Sequence, residues 1–314
     1  MRTVPVLLTY DIHTHAAHSA PDVDRYLQHV FELHARIGVK ASFFFPAEAA
    51  RAMKQTVAGL VRDGLGVGCH GLTHRNEYYK SMPASEQNEK LSRATREIED
   101  VIQQRVTFFR APAFKISGTT IRVLEELGYE ADLSMNSQRL GVLSSDVWNI
   151  SWMAAPRGPY HPDFRRPWRR GEARLWEIPL SCLLFPFMVN TGQALGVGLM
   201  KAFFRALYFE ARRTHRPIVY MAHPEDMYPL RKTPERPAFR WTHLLPSRSH
   251  GFRVRSTLYE TDPVKVAHLS ETLLEYMCSF SGVRFPTVPE YLGELKKAVG
   301  GHVAGVKAAP EGTG

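Results

Sequence analysis

Short apolar runs alternate along the chain with segments whose apolar residues recur at helical spacing. Residues 4–10 (VPVLLTY) form an apolar run that stops at Asp11, and residues 22–37 set Val23, Leu27, Val30, Phe31 and His34 on one stripe ending at Gly38. A buried strand followed by a helix is the expectation. Residues 40–45 (KASFFF) read as a second strand, 48–63 as a helix, and 66–69 as a strand stopping at His70. The rhythm continues with a charged helix over 85–104, a strand over 107–109 ending at Arg110, a helix over 118–127 closed by Gly128, and a strand over 130–134. Further on, 217–222 (PIVYMA) reads as a strand ending at His223, 263–278 as a helix and 283–285 as a strand.

Strand and helix units in this order predict an α/β fold of parallel strands joined by crossover helices. The polar residues recur at one place: Asp11, His70, Arg110 and His223 each follow directly on an apolar strand. That edge of a parallel sheet is where such folds assemble their sites, so one composite site is the economical reading. A single domain over residues 1–298 is expected, followed by a small, polar, flexible tail over 299–314.

Composition adds limits. A chain of 314 residues that is 44% hydrophobic and 23% charged is an ordinary globular protein, not a disordered or collagen-like one. Cys69, Cys182 and Cys278 are distant and odd in number, which fits buried free thiols in a reducing compartment. The apolar run before Asp11 is too short for a signal peptide, so a cytoplasmic location is expected. The most apolar stretch, residues 180–204, is interrupted by Pro186, Asn190, Thr191, Gln193 and Lys201. It reads as a strand and helix of the domain, with peripheral membrane contact left open.

Charge is the unusual feature. Forty Lys and Arg against 31 Asp and Glu give +9, which points to an anionic partner. Two segments rich in Pro, Arg and aromatic residues carry it: 155–175 has six Arg and two acids, and 229–257 has seven Lys or Arg and one acid. The rest of the chain is close to neutral. Arg165 and Arg166 are candidates to clamp a phosphate, and Trp168 and Trp241 to stack on a sugar ring or meet a lipid interface; solvated loops are the alternative. No basic helix, zinc finger or aromatic RNA-binding motif suggests nucleic acid.

The strongest local pattern is HGLTH at 70–74. Two imidazoles four residues apart reach one metal ion if the chain turns helical there; otherwise they are a pair of loop histidines. In the extended segment TYDIHTH at 9–15, period-two alternation turns Asp11 and His13 the same way. One then suits a base and the other a third ligand.

Taken together, YDIH at 10–13, KASFFF at 40–45, GCHGLTH at 68–74, FRAPAF at 109–114 and YMAHP at 220–224 resemble, in order and spacing, the motifs of the NodB-homology polysaccharide deacetylases, carbohydrate esterase family four. The resemblance implies a distorted (β/α) barrel of about seven parallel strands and metal-dependent hydrolysis of an N-acyl amino sugar. It implies Zn2+ or another divalent transition metal held by His70 and His74. It makes Asp11 the general base, Arg110 the residue orienting that base, the Ala113 N–H an oxyanion donor and His223 the general acid. Asp132 matches an acidic position with a supporting role, and Tyr10 and Phe114 flank the motifs as substrate-contact candidates.

The departure lies in the first motif. Most members carry two adjacent aspartates, whereas Ile12 follows Asp11 here, so His13 becomes the expected third ligand, with His15 and His18 as further candidates. The expected partner is an anionic N-acylated amino sugar, such as a lipid-linked or nucleotide-linked intermediate of cell-envelope glycan synthesis. Two rivals stand beside it: hydrolysis of a small cyclic amide, and a catalytically silent carbohydrate-binding relative.

Overall fold

The computed structural model describes residues 3–14, 18–73, 78–138, 150–231, 238–247, 251–252 and 257–306. Strand β1 (Val4–Asp11) is buried along its whole length and sits centrally in the main sheet. Its second half pairs in parallel with β2 (Ser42–Phe45) on one edge and with β9 (Ile218–Ala222) on the other, while Val4 and Pro5 pair with β12 (Val283–Arg284). From β2 the sheet continues through β3 (Gly66–Cys69), β4 (Phe108–Phe109), β5 (Ala131–Asp132) and β6 (Trp176–Glu177), and each of these pairings is parallel. Seven strands and the short β12 thus form one curled sheet.

Irregular chain closes the ring between β6 and β9. Ile178 N donates to Asp132 O, Leu180 bridges Asn136, and Ser181 N donates to Val219 O of β9. A tight hairpin of β7 (Cys182–Leu183) and β8 (Phe185–Pro186), turning at Leu184 with φ +67°, then brings Met188 back to bridge Met221. This replacement of a ladder by turns is the distortion in the barrel. Outside the main ring, β10 (Pro246–Ser247) and β11 (Gly251–Phe252) form a separate antiparallel pair.

The crossovers are helical. Among the described residues they are α1 (Ala20–Ile37), α2 (Ala47–Ala52), α3 (Lys54–Arg62), α4 (Ala84–Ile102), α5 (Gly118–Glu126), α6 (Val189–Thr214) and α7 (Pro263–Cys278), and α8 (Val288–Val306) follows β12. The helix expected over 48–63 is divided at Met53, whose φ and ψ (−120°, 42°) leave helical geometry. In α6 the chain breaks at Gly196 (φ +80°, ψ 163°), and the Gln193 carbonyl accepts from Glu260 N. Helix α8 runs into the segment expected to be a tail; residues 307–314 lie outside the described ones.

Close packing explains the small residues of β3. A Cβ on Gly66 would collide with Ser42, and one on Gly68 with the ring of Phe108, so GVGC lets the Phe108 side chain cross the barrel interior. There Phe44 and Phe108 meet edge to face at 5.2 Å. No disulfide joins the three cysteines: Cys69 and Cys182 are buried as expected, but Cys278, on the last turn of α7, is exposed. Among the described residues no helix is long and apolar enough to cross a membrane.

Candidate active site

The ends of β1, β3, β4 and β9 converge. Asp11 closes β1 and Arg110 follows β4; Arg110 Nη1 donates to Asp11 Oδ1 at 2.7 Å and to Thr9 Oγ1 at 3.0 Å. Arg110 Nε donates to Leu133 O at 3.1 Å, and its guanidinium lies 4.3 Å from the centroid of the Phe44 ring. The arginine is fully buried and Asp11 nearly so. Burial would raise the Asp11 pKa, yet the charge of Arg110, followed by His70 and His223, outweighs it and holds the carboxyl below its ordinary value. Asp11 is therefore ionised and fixed in place at neutral pH.

His70 follows β3, its N–H bonded to Phe45 O. Its Nδ1–H donates to the Arg110 carbonyl at 2.7 Å, which makes Nε2 the lone-pair nitrogen. Burial, only partly opposed by Asp11, keeps the ring neutral by lowering its pKa. Neutral, oriented imidazole is what a divalent transition metal requires. The His13 ring lies 5.7 Å from that of His70 and 4.5 Å from that of His223, so three imidazoles stand in a row. His74 and His15 lie outside the described residues, and among those described no group of three metal-ligand side chains is complete. His18 is buried beside Tyr26, 3.2 Å from its hydroxyl, in contact with α1.

His223 follows β9, and Pro224 opens a single turn over Pro224–Met227. That turn folds Asp226 back so that His223 Nδ1–H donates to Asp226 Oδ2 at 2.9 Å. The carboxylate is itself held, its Oδ1 accepting from Arg231 Nη1 at 2.8 Å and Gln193 Nε2 at 3.0 Å. Burial works to lower the His223 pKa, but the bond to Asp226 and the charges of Glu225, Asp226 and Asp11 carry it up to about 9. His223 is thus an imidazolium at neutral pH, with Nε2 as its unclaimed pole.

The turn after Arg110 is unusual. Ala113 (φ +53°) and Phe114 (φ +60°) both occupy the left-handed region that residues with a Cβ rarely adopt. It is pinned by Phe114 N to Ala111 O at 2.9 Å and by Ala111 N to Ser134 Oγ at 2.8 Å. Ala113 is exposed at its tip, and the Phe114 ring lies 5.8 Å from the Arg110 guanidinium.

This arrangement makes sense of the family comparisons. Residues 2–131 match the model of the polysaccharide deacetylase family. Through this segment the chain is similar to the polysaccharide deacetylase family. A peptidoglycan deacetylase of Helicobacter pylori (strain ATCC 700392 / 26695) is 25% identical over 156 residues, which span 49% of this chain and 52% of that protein. The match thus covers about half of the curated relative. A Mycobacterium smegmatis crystal structure described as a polysaccharide deacetylase superposes with a TM-score of 0.59 at 14% identity, covering 95% of this chain and 92% of that one. A Pseudomonas aeruginosa PAO1 structure described likewise gives 0.55 at 12% identity, covering 94% and 90%. At such identities these two structures speak for the shared fold.

The other expected site residues are dispersed. Tyr10 is a correction: it stacks on Phe43, hydrogen-bonds His34 Nε2 at 2.9 Å and is buried on the helical side of the sheet, away from any substrate. Asp132, expected in a supporting role, is fully buried, with Oδ1 accepting from Ser134 Oγ at 2.5 Å. Of the first basic segment, Arg157 pairs with Glu210 and Arg174 with Glu125, leaving both outside any phosphate clamp. Among the described residues no salt bridge engages Arg165, Arg166, Arg169 or Arg170. The Phe164 carbonyl abuts Gly118 at the start of α5, where any Cβ would collide, so Arg165 and Arg166 stand beside that helix terminus. Trp168 is half-buried against the core, whereas Trp241 is exposed and touches Phe239. Much of 229–257 lies outside the described residues.

Asp226, Gln193 and Arg231 are the functional residues that sequence reasoning missed. The sequence His-Pro-Glu-Asp at 223–226 did carry a signal, because proline starting a turn brings the residue at i+3 back to i.

Proposed function

We propose that the protein is a metal-dependent N-deacetylase or N-deformylase acting on an N-acyl amino sugar that carries phosphate. The observation that supports this most is the pairing of a base and an acid across one mouth: an Asp11 carboxylate held by Arg110, and a His223 imidazolium held by Asp226. Two titratable groups pushed to opposite protonation states at one pH are what hydrolysis of an amide requires.

His70 and His13 would hold a divalent transition metal, with His74, which lies outside the described residues, as the expected third ligand. When bound, such an ion supplies Lewis acidity that polarises the amide carbonyl and activates water. Asp11 accepts the proton of the attacking water. The amide of Ala113, presented by its left-handed turn, holds the oxygen that becomes negative. His223 then passes its Nε2 proton to the amine as the C–N bond breaks, leaving a free amino sugar and a carboxylate. Asp226 keeps the ring oriented throughout and balances its charge.

The phosphate part of the proposal draws on Arg165, Arg166, Arg169 and Arg170, and on the +9 balance of the chain. The decisive experiment combines elemental analysis with Asp11→Asn. A stoichiometric divalent ion in both proteins, with release of acetate or formate from N-acyl glucosamine oligomers in the unaltered protein alone, is expected. Absence of the ion from the unaltered protein would sink the reading and favour the silent carbohydrate-binding relative that Ile12 suggests.

A further inference from the structure

Beneath the turn that carries Ala113 lies a pair of acids the mechanism does not use. Asp132 on β5 and Glu177 on β6 face each other directly in the parallel register, and both are fully buried. One oxygen of each is satisfied by a donor: Asp132 Oδ1 by Ser134 Oγ at 2.5 Å, Glu177 Oε1 by Met135 N at 3.0 Å. Their other oxygens, Oδ2 and Oε2, are buried with no hydrogen-bond partner among the described residues. Two carboxyl groups set opposite each other in register, each with an orphaned oxygen, can satisfy both only when one keeps its proton and donates it to the other.

The surroundings do not supply a second counter-charge. Beyond β4, the charge of Arg110 acts on both acids, but it is paired with Asp11: its Nε is committed to Leu133 O and its Nη1 to Thr9 and Asp11, and only its Nη2 has no partner. From the chain beside β6, Tyr160 bridges Glu177 and donates its hydroxyl to Pro167 O at 2.6 Å, and the charges of Glu177, Asp132 and Arg170 act on that hydroxyl. Burial accordingly raises Glu177 well above the ordinary carboxyl range and Asp132 to about 6.

We propose that Asp132 and Glu177 form a one-proton carboxyl pair that acts as a positioning device for the oxyanion turn. The line of force is short. Glu177 fixes Asp132, Asp132 accepts the Ser134 hydroxyl hydrogen, and the Ser134 oxygen so oriented accepts Ala111 N–H at 2.8 Å. Ala111 opens the strained turn through Ala113 and Phe114, and the preceding carbonyl, that of Arg110, orients His70. A strained turn persists only where its surroundings over-determine it, and this chain of bonds is its anchor.

The kinetic part of the proposal rests on the deacetylase reading; the shared proton does not. Infrared difference spectra of the whole protein at neutral pH should therefore show a protonated carboxyl band that Glu177→Gln removes. Glu225, the other buried acid raised by burial, to about 7, cancels in that difference. In turnover, Glu177→Ala should lower kcat roughly ten- to hundredfold with KM little changed. Glu177→Gln should restore most of the loss, because its amide donates to Asp132 while its oxygen accepts from Met135. Asp132→Asn should also remove the band, and if the alanine variant does not fold, Ser134→Ala, which cuts the same chain of bonds at Ala111 N, takes its place in the turnover arm with the same expected loss and the same overturning result. A band unaffected by either conservative variant overturns the shared proton. Wild-type kcat in folded Glu177→Ala overturns the positioning role. A protein without turnover that still shows the band would leave the pair standing and count against the deacetylase reading alone.

Discussion

Asp226→Asn is the sharpest test of how the acid end of the site works. In the native protein His223 is carried from an ordinary 6.5 to about 9. At about 1.4 kcal/mol per pH unit, that displacement corresponds to about 3 kcal/mol in favour of the imidazolium. The variant keeps an oxygen for Arg231 and Gln193 but turns an NH2 towards His223 Nδ1, where two donors cannot bond. Burial, which acts to lower the His223 pKa, then has little opposition, and the ring should titrate near or below 6.5. The sign of the stability change follows. A folded pKa above the unfolded one stabilises fully below pH 6.5, and the contribution is lost as pH rises through about 9. The unaltered protein should therefore lose about 3 kcal/mol of this contribution between pH 6.5 and 9.5, and the variant should not. The alkaline limb of kcat should move acidward by about two pH units, and loss of ring orientation should lower kcat by roughly 10^2 to 10^4. NMR titration of His223, urea unfolding across pH and pH–rate profiles measure these separately. An unshifted His223 titration in the variant would refute the assignment of Asp226 as its counter-charge.

Two further outcomes follow from the geometry. Arg110→Met should destabilise the fold by about 3–5 kcal/mol at neutral pH, because it strands Asp11 as a buried charge; urea unfolding should show part of that loss recovered in Arg110→Met/Asp11→Asn. Replacing Arg165, Arg166, Arg169 and Arg170 with Gln should raise KM for a phosphorylated substrate with kcat unchanged, and the difference should shrink in high salt. An unchanged KM would assign that charge to solubility.

The strand ends were legible because each combines an apolar run with one abrupt polar residue. Asp11, His70, Arg110 and His223 could be picked out before any contact was known. The alternation that turns Asp11 and His13 inward turns Tyr10 and Ile12 to the helices, so Tyr10 packs against His34 and Phe43 and not at the mouth. Asp226 required knowing that Pro224 opens a turn, and Gln193 reaches it from a helix 33 residues earlier, a contact no local pattern encodes. Glu177 was hidden for a different reason. Its significance lies in the register that sets it opposite Asp132, and two-residue strands give no periodicity from which register can be read. The division of the basic segments was equally illegible, since Arg157 and Arg174 look like their neighbours until Glu210 and Glu125 claim them.

Ile12 ties these points to the substrate. Its N–H donates to Phe44 O at 3.0 Å, so extended geometry continues one residue past β1, and the side chain is fully buried in the core. A carboxylate at position 12 would be buried among apolar groups; the next position facing the mouth is 13, where the chain has His. Charge then accumulates on one side. Arg110 and Asp11 cancel, Asp226 is shared between Arg231 and His223, and His70 is neutral. A divalent ion held by imidazoles alone would keep almost its full charge, beside a cationic His223 in a chain whose net charge is +9. Such a mouth is short of negative charge, which the phosphate of the proposed substrate would supply. The same imbalance predicts that inorganic phosphate or pyrophosphate inhibits competitively, and that this inhibition weakens as salt rises. Inhibition independent of salt, or none, would place the missing counter-charge elsewhere in the protein.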